Sequence, residues 1–180
     1  MLHLTAALCI NNGSNMKKIL LAGSTGYLGS YIAKELQKQA YFCRAIARNP
    51  EKLKQKDIEA NEVIKAELTK PASITESCKD IDVVISTVGI TRQKDGLTYM
   101  DVDYQANMNL LEEAKKSGVK KFIYVSVLNG EKLRHLKICD AKEMFVEQLK
   151  TSGVDYCIVS SNGFFSDMSE FFNMAKKGQV

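Results

Sequence analysis

Three glycines at intervals of three residues constrain the fold of this chain more than any other feature. Gly23, Gly26 and Gly29 directly follow an apolar run at 17–22, and residues 27–39 carry apolar side chains at helical spacing. A glycine loop between a buried strand and a helix leaves backbone N–H groups open at the positive end of the helix dipole. This context predicts a site for the pyrophosphate of a dinucleotide, and the alternative is a glycine-rich turn without a ligand. The spacing displaces the first glycine by one position from the common G-x-G-x-x-G pattern.

Strand-like and helix-like segments alternate along the rest of the chain. Apolar or β-branched runs predict further strands at 42–47, 62–66, 81–88, 121–127 and 154–160. Helical patterns lie between them at 98–117, at 140–152 and, as a short helix, from Pro71 to about Cys78. The alternation predicts an α/β fold, and right-handed crossovers favour a doubly wound parallel sheet, the Rossmann fold, with strand order 3-2-1-4-5-6.

The domain organisation that we expect is simple. A chain of 180 residues suits one domain. We predict one NAD(P)-binding Rossmann domain at 16–180, and we expect residues 1–15 to be a loose N-terminal extension ahead of Met16.

Composition and charge exclude several classes of function. The net charge of +4 is a mild excess spread along the chain, without the basic stripe and interleaved aromatic residues of a nucleic-acid interface. The two histidines and five cysteines show no metal-ligand spacing, so we expect no metal site. No apolar run approaches the length of a membrane-spanning helix. We therefore expect a cytoplasmic protein in a reducing compartment, with neither nucleic acid nor membrane as a partner.

The second predicted strand indicates which dinucleotide binds. An acidic residue about twenty positions beyond the glycines would bind the ribose 2′-hydroxyl of NAD. This chain instead has Arg48, nineteen residues after Gly29, with Arg44 nearby. An arginine favours the 2′-phosphate of NADP through charge-assisted hydrogen bonds, so NADP(H) is expected before NAD(H). The alternative is a solvated surface arginine.

Four segments carry a resemblance to a known family: GSTGYLGSYIAKEL, RAIARNPEKL, DVVISTVG and GVKKFIYVSVLN. They resemble the atypical short-chain dehydrogenase/reductases, particularly the NmrA-like NAD(P)H-binding group, over about 16–175. The resemblance implies cofactor-binding residues along the whole chain: Gly23, Ser24, Thr25, Gly26, Tyr27, Leu28 and Gly29 at the pyrophosphate, Arg48 at the 2′-phosphate, Glu67 and Leu68 at the adenine, Thr87, Val88 and Gly89 beside the nicotinamide ribose, and Asn162, Gly163 and Phe164 near the nicotinamide.

The same resemblance implies catalytic residues, with one departure. Short-chain reductases use a serine, a tyrosine and a lysine, the last two in a Tyr-x-x-x-Lys pattern. Ser126 matches the serine and Lys142 matches the lysine, which would also hold the nicotinamide ribose, but Ile138 stands where the tyrosine is expected. An aliphatic side chain cannot act as a general acid. Lys142 is therefore either catalytic or a ribose-binding or surface lysine.

Three functions remain open at this point. The first is an atypical reductase that transfers hydride from NADPH to a small carbonyl or quinone-type substrate. The second is a non-catalytic NADP(H)-binding redox sensor or assembly factor that contacts a protein partner, and the third is a truncated, inactive fragment. Family members continue past Val180 into a substrate-covering region, which we expect to be largely missing here. Self-association would cover the apolar patch that this leaves: Phe164, Phe165, Phe171, Phe172 and Met174.

Overall fold

The computed structural model describes residues 17–90 and 96–178. Its strands are β1 Lys18–Ala22, β2 Phe42–Ala47, β3 Glu62–Lys65, β4 Val83–Ser86, β5 Lys121–Val127 and β6 Asp155–Ser161. They form one six-stranded sheet in the order β3-β2-β1-β4-β5-β6, and every neighbouring pair is parallel. The predicted α/β fold, its doubly wound sheet and its strand order are confirmed. The strand order reverses between β1 and β4, which is where such folds bind ligands.

Helices cover both faces of the sheet. They are α1 Tyr27–Lys38, α2 Glu51–Lys54, α3 Ala106–Lys116, α4 Lys137–Thr151 and α5 Phe165–Lys176. A π-helix, Met100–Gln105, runs directly into α3, and single 3-10 turns lie at Pro71–Ile74 and Gly130–Leu133. No helix in the described part of the chain is both long and apolar enough to cross a membrane.

The central strand β1 shows why the sequence folds this way. Successive side chains of a strand point to opposite faces, so Leu20 packs in the cluster under α3 and α4, while Ile19 and Leu21 pack in the cluster under α1. The first cluster contains the fully buried rings of Phe122 and Phe145. Because both faces are buried, the strand is a continuous apolar run instead of an alternating one.

Some element boundaries differ from the prediction. The helix predicted from 98 starts as a π-helix, and α4 starts at Lys137, three residues before the predicted 140. The helix predicted from Pro71 to about Cys78 is a single 3-10 turn that ends at Ile74, because Glu76 has a positive φ of 60° that no right-handed helix accepts. Two helices, α2 and α5, are additions to the prediction. Residues 1–15, predicted as an extension, lie outside the described residues.

Replacing Gly29 by alanine should lower the free energy of unfolding by about 1–3 kcal/mol, the usual cost of overpacking. A Cβ at this position would lie 2.7 Å from the Gly23 carbonyl carbon and closer still to its oxygen, so strand and helix must move apart. Urea denaturation measures the change. Gly163→Ala is the matched control, because a Cβ there meets no atom within 4 Å, and its stability should change by less than about 0.5 kcal/mol. Equal stability of the two variants would contradict this account of the loop.

Candidate functional site

The glycine loop has the geometry of a phosphate cradle. Gly23 has a φ of +82°, and its carbonyl oxygen accepts the N–H of Gly26 at 2.9 Å. A Cβ on Gly23 would lie 2.5 Å from Thr87 Oγ1, which donates to the Ala22 carbonyl oxygen at 3.2 Å. The loop therefore turns tightly against the end of β4 and leads directly into the N-terminus of α1. Bare backbone at the start of a helix is a ready anion site.

A cleft of about 200 Å³ opens at the carboxyl ends of the strands, beside this loop. Its walls come from the glycine loop, from the ends of β2 and β4, from the segment after β3 and from the π-helix. The lining residues are Gly23, Thr25, Gly26, Ile46, Ala47, Arg48, Ala66, Glu67, Leu68, Thr69, Thr87, Val88, Gly89, Ile90, Leu97, Val102 and Ala106. Nine of the predicted cofactor residues thus share one cleft: Gly23, Thr25, Gly26, Arg48, Glu67, Leu68, Thr87, Val88 and Gly89.

The remaining predicted loop residues have other placements. Ser24 is fully buried, and its hydroxyl donates to the Ile46 carbonyl oxygen at 2.9 Å, so it ties the loop to β2. Leu28 packs against the core under α1, and Gly29 is buried against Gly23. Tyr27 is half exposed at the start of α1. None of these three residues, Ser24, Leu28 and Gly29, lines the cleft. They shape the loop through packing.

One end of the cleft combines positively charged side chains with a carboxylate. Arg48 and Glu67 both line it. A hydrogen bond from Lys70 is the main cause of the lowered pKa of Glu67, with Thr69 and the more distant charge of Arg48 adding to it. Lys56 lies at the same end, where its Nζ donates to the Thr25 carbonyl oxygen at 2.8 Å. Lys56 could not be predicted from the sequence, because nothing in a polar, lysine-rich stretch distinguishes it from a solvated residue.

Arg44 does not join this end of the cleft. Its guanidinium pairs with Glu62 and donates to the Ser77 and Lys79 carbonyl oxygens at 2.9 and 2.8 Å. These bonds tie β2 to the edge strand and to the turn before β4. Arg48 directly follows β2, and it is the arginine that lines the cleft.

The other end of the cleft has a buried ion pair behind its wall. Lys142 Nζ on α4 lies 2.9 Å from Oδ1 of Asp103, which is fully buried on the π-helix. Oδ2 of Asp103 accepts the N–H of Ile90 at 3.2 Å. A Cβ on Gly89 would meet both partners, at 2.6 Å from Asp103 Oδ1 and 2.9 Å from Lys142 Nζ. Glycine at 89 thus lets the pair approach the cleft.

A network of hydrogen bonds holds Asp103 in place. Ser86 Oγ donates to Asn107 Oδ1 at 2.6 Å, and Asn107 Nδ2 donates to the backbone carbonyl oxygen of Asp103 at 2.9 Å. Burial raises the pKa of the Asp103 carboxyl, and Lys142 opposes that rise. The sequence gives no signal for Asp103, since an aspartate at the start of a helix is usually a solvated first-turn residue.

Ser126 and Tyr124 lie on the same face of β5, since they are two residues apart. Both are buried, and within the described residues no hydrogen-bond partner reaches either hydroxyl. The Lys142 ammonium lies 5.5 Å from the centre of the Tyr124 ring, over its face. Burial raises the pKa of Tyr124 far above its usual value, with Asp103 and Glu143 adding to the rise. Tyr124 is thus held as a neutral phenol.

The segment after β6 stands on the other side of the glycine loop. Asn162 and Gly163 are exposed, and the Phe164 ring lies 5.5 Å from the Tyr27 ring, between centroids. These residues do not line the cleft. The side chains of Phe165 and Phe171 lie outside the described residues, whereas Phe172 is exposed on α5.

The residues present fit a dinucleotide such as NAD(P)H. The glycine loop offers bare backbone at a helix N-terminus, the cleft crosses the point where the strand order reverses, and cationic side chains stand at both ends. Ser126 does not line the cleft, and its buried hydroxyl has no partner among the described residues.

Comparison with known proteins supports this assignment. Photosystem II assembly factor Ycf39 of Cyanophora paradoxa is 31% identical over 150 residues, which are 83% of this chain and 46% of that protein. Divinyl chlorophyllide a 8-vinyl-reductase of Arabidopsis thaliana is 26% identical over 178 residues, which are 89% of this chain and 42% of that protein. The chain spans about half the length of the curated relatives it matches.

A solved structure with the same fold carries the cofactor. An NADPH-dependent quinone oxidoreductase from Escherichia coli, complexed with NADPH, has a TM-score of 0.69 and 25% sequence identity. The match covers 88% of this chain and 53% of that one. A family profile described as NAD(P)H-binding matches residues 23–179. The predicted family and the NAD(P)H cofactor class are confirmed, and the chain belongs to the NAD(P)H-binding family.

Proposed function

We propose that this protein binds NADP(H) across the cleft and acts as an atypical short-chain reductase on a small carbonyl or quinone-type substrate. The observation that carries the proposal is the pairing of Arg48 and Lys142 with opposite ends of one dinucleotide cleft. The quinone oxidoreductase that shares the fold is NADPH-dependent, which supports both the cofactor and the substrate class.

The preference for NADP(H) rests on the β2 end of the cleft. The first mononucleotide half of such a fold takes the adenosine, and its β2 end reads the 2′ position. Arg48 supplies a charged fork there, and Lys56 adds a second cation about the Thr25 carbonyl. A phosphate with two negative charges is held by such donors more strongly than a neutral hydroxyl. Glu67 and Thr69 complete the polar wall beside the adenosine.

The second half of the cleft would carry the chemistry. NADPH, when bound, supplies the hydride. An ammonium has three N–H donors, so Lys142, whose Nζ lies 2.9 Å from Asp103 Oδ1, would keep donors for the ribose hydroxyls and for a substrate oxygen. Ser126 would donate from β5 to the same oxygen, since its hydroxyl has no partner among the described residues. A positive and a neutral donor together stabilise negative charge that develops on the acceptor oxygen.

No described tyrosine takes the place of the one that Ile138 replaces. Ile138 lies in the first turn of α4, and an aliphatic side chain moves no proton. Tyr124 is fully buried in the core, and Phe145 packs against it edge-on, with ring centroids 4.6 Å apart. A substrate of the quinone class suits this arrangement, because the hydroquinone anion left by hydride transfer is much less basic than an alkoxide. The transfer therefore needs no proton donor on the protein, and solvent can protonate the anion afterwards.

A second candidate function has its own support. The assembly factor Ycf39 is 31% identical to this chain, and a non-catalytic NADP(H)-binding assembly factor or redox sensor needs no proton donor at position 138. Such a protein would act by contacting a protein partner. Phe172 and Met174 on α5 are exposed. We include in the same proposal that the protein self-associates through this helix. A cytoplasmic location is also part of the proposal.

Arg48→Ala should weaken NADPH binding by about 10- to 100-fold and leave NADH binding within about twofold, because only NADPH has the 2′-phosphate. Isothermal titration of both nucleotides measures this. Arg134→Ala removes the same charge from an exposed site paired with Asp140 and Glu147, so it serves as the matched control. Equal weakening of NADPH and NADH in Arg48→Ala would remove the reason for naming NADP(H).

Lys142→Ala should lower the rate of NADPH oxidation by 1,4-benzoquinone by about 100-fold or more, while bound NADPH is still detected. Stopped-flow absorbance of NADPH follows the reaction. Lys150→Ala, on an exposed position of the same helix, controls for the loss of a lysine. If the wild-type protein binds NADPH and oxidises none of it with a panel of quinones and carbonyl compounds, the assembly-factor or sensor function is favoured instead.

A further inference from the structure

The Asp103–Lys142 pair is a built feature of the protein and not a surface contact. Asp103 is fully buried, the Lys142 side chain is 14% exposed, and their charged atoms lie 2.9 Å apart. The N–H of Ile90 binds the second carboxylate oxygen, and Asn107 fixes the backbone of Asp103. Charges buried to this degree persist only when they are paired and hydrogen-bonded. The fold therefore maintains a carboxylate beside this lysine at a considerable cost.

The pair stands directly behind one wall of the cleft. Val102 and Ala106, one residue before Asp103 and three after it, line the cleft, and so does Gly89. A Cβ on Gly89 would lie 2.6 Å from Asp103 Oδ1 and 2.9 Å from Lys142 Nζ, so the cleft wall at Gly89 adjoins both charged groups. Gly89 follows β4, the first strand of the second mononucleotide half, so the pair lies beside the nucleoside that is not the adenosine.

The charge of that nucleoside depends on its redox state. The oxidised nicotinamide ring carries one positive charge, and the reduced ring carries none. A lone lysine ammonium at this wall would repel the oxidised ring and leave the reduced ring unaffected. Coulomb interactions over several ångströms in a partly buried cleft are strong enough to change relative affinities about tenfold.

Building on the proposed function, we propose that Asp103 cancels the charge of Lys142 at the nicotinamide end, so that NADP⁺ and NADPH bind with comparable affinity. Lys142 can then hold the ribose through its remaining N–H donors without excluding the oxidised cofactor. Asp103 is in this sense a positioning residue that acts through Lys142. Its carboxylate controls which redox state of the cofactor the site prefers.

The test compares three ligands on Asp103→Asn, a substitution of nearly identical shape that removes the charge and keeps one oxygen to accept the N–H of Ile90. Dissociation constants are measured by titration for NADP⁺, NADPH and 2′,5′-ADP, which lacks the nicotinamide nucleotide. The ratio of the NADP⁺ constant to the NADPH constant should rise about five- to tenfold over wild type, with 2′,5′-ADP binding within about twofold of wild type. An unchanged ratio, or equal weakening of all three ligands, overturns the proposal.

A double-mutant cycle tests whether Asp103 acts through Lys142. The double variant Lys142→Met/Asp103→Asn carries neither charge at this wall, so its ratio should return to within about twofold of the wild-type value. A ratio in the double variant as high as in Asp103→Asn alone would show that the lysine is not its source, and it would overturn the proposal.

Lys142→Met alone keeps the proposal testable if Asp103→Asn does not fold. It leaves the Asp103 carboxyl without its lysine. Burial raises the pKa of that carboxyl, and Asp103 and Glu143 both act electrostatically on the nearby Tyr124. The ionised carboxyl attracts the oxidised ring with no ammonium to oppose it, so the ratio should lie at or below the wild-type value and should fall as the pH is raised. A ratio above that of wild type overturns the proposal. A wild-type protein that binds none of the three ligands contradicts the proposed function itself.

Discussion

The close approach of α1 to β1 is the constraint on which the site depends. The Gly23 carbonyl group lies where a side chain at position 29 would begin, and the Thr87 hydroxyl lies where one at position 23 would begin. This double contact brings the start of the helix, the end of β1 and the end of β4 to one point. The cleft opens at that point, because the strand order reverses there.

The parts of the structure that the sequence predicted well are those set by local pattern. β1 and β4 are apolar runs because both faces of a parallel sheet are buried, and Gly23 and Gly29 mark a turn where Cβ atoms do not fit. Arg48 could be placed because the distance from the glycine loop to the end of β2 is fixed by one helix and one turn. The family's motif then placed Lys142 behind the opposite wall.

Other features could not be predicted, because they depend on contacts between distant segments. Ser24 reads as a phosphate ligand by position, yet its hydroxyl turns to the carbonyl group of Ile46, 22 residues away. Arg44 and Arg48 look alike in sequence, but only the fold shows that Arg44 is held by Glu62 and by the turn before β4. Asp103 becomes a buried partner of Lys142 only once α4 packs on the π-helix.

The position of the Asp103 side chain depends on the number of residues in the π-helix. A residue in an α-helix advances about 100° around the axis, so removing one residue from Met100–Gln105 and restoring a regular helix would rotate Asp103 away from α4. The carboxylate would then leave the lysine without any change in the identity of either residue. Among related chains, an insertion or deletion in this turn would therefore separate the two residues as effectively as a substitution, and alignments that close such a gap would hide the difference.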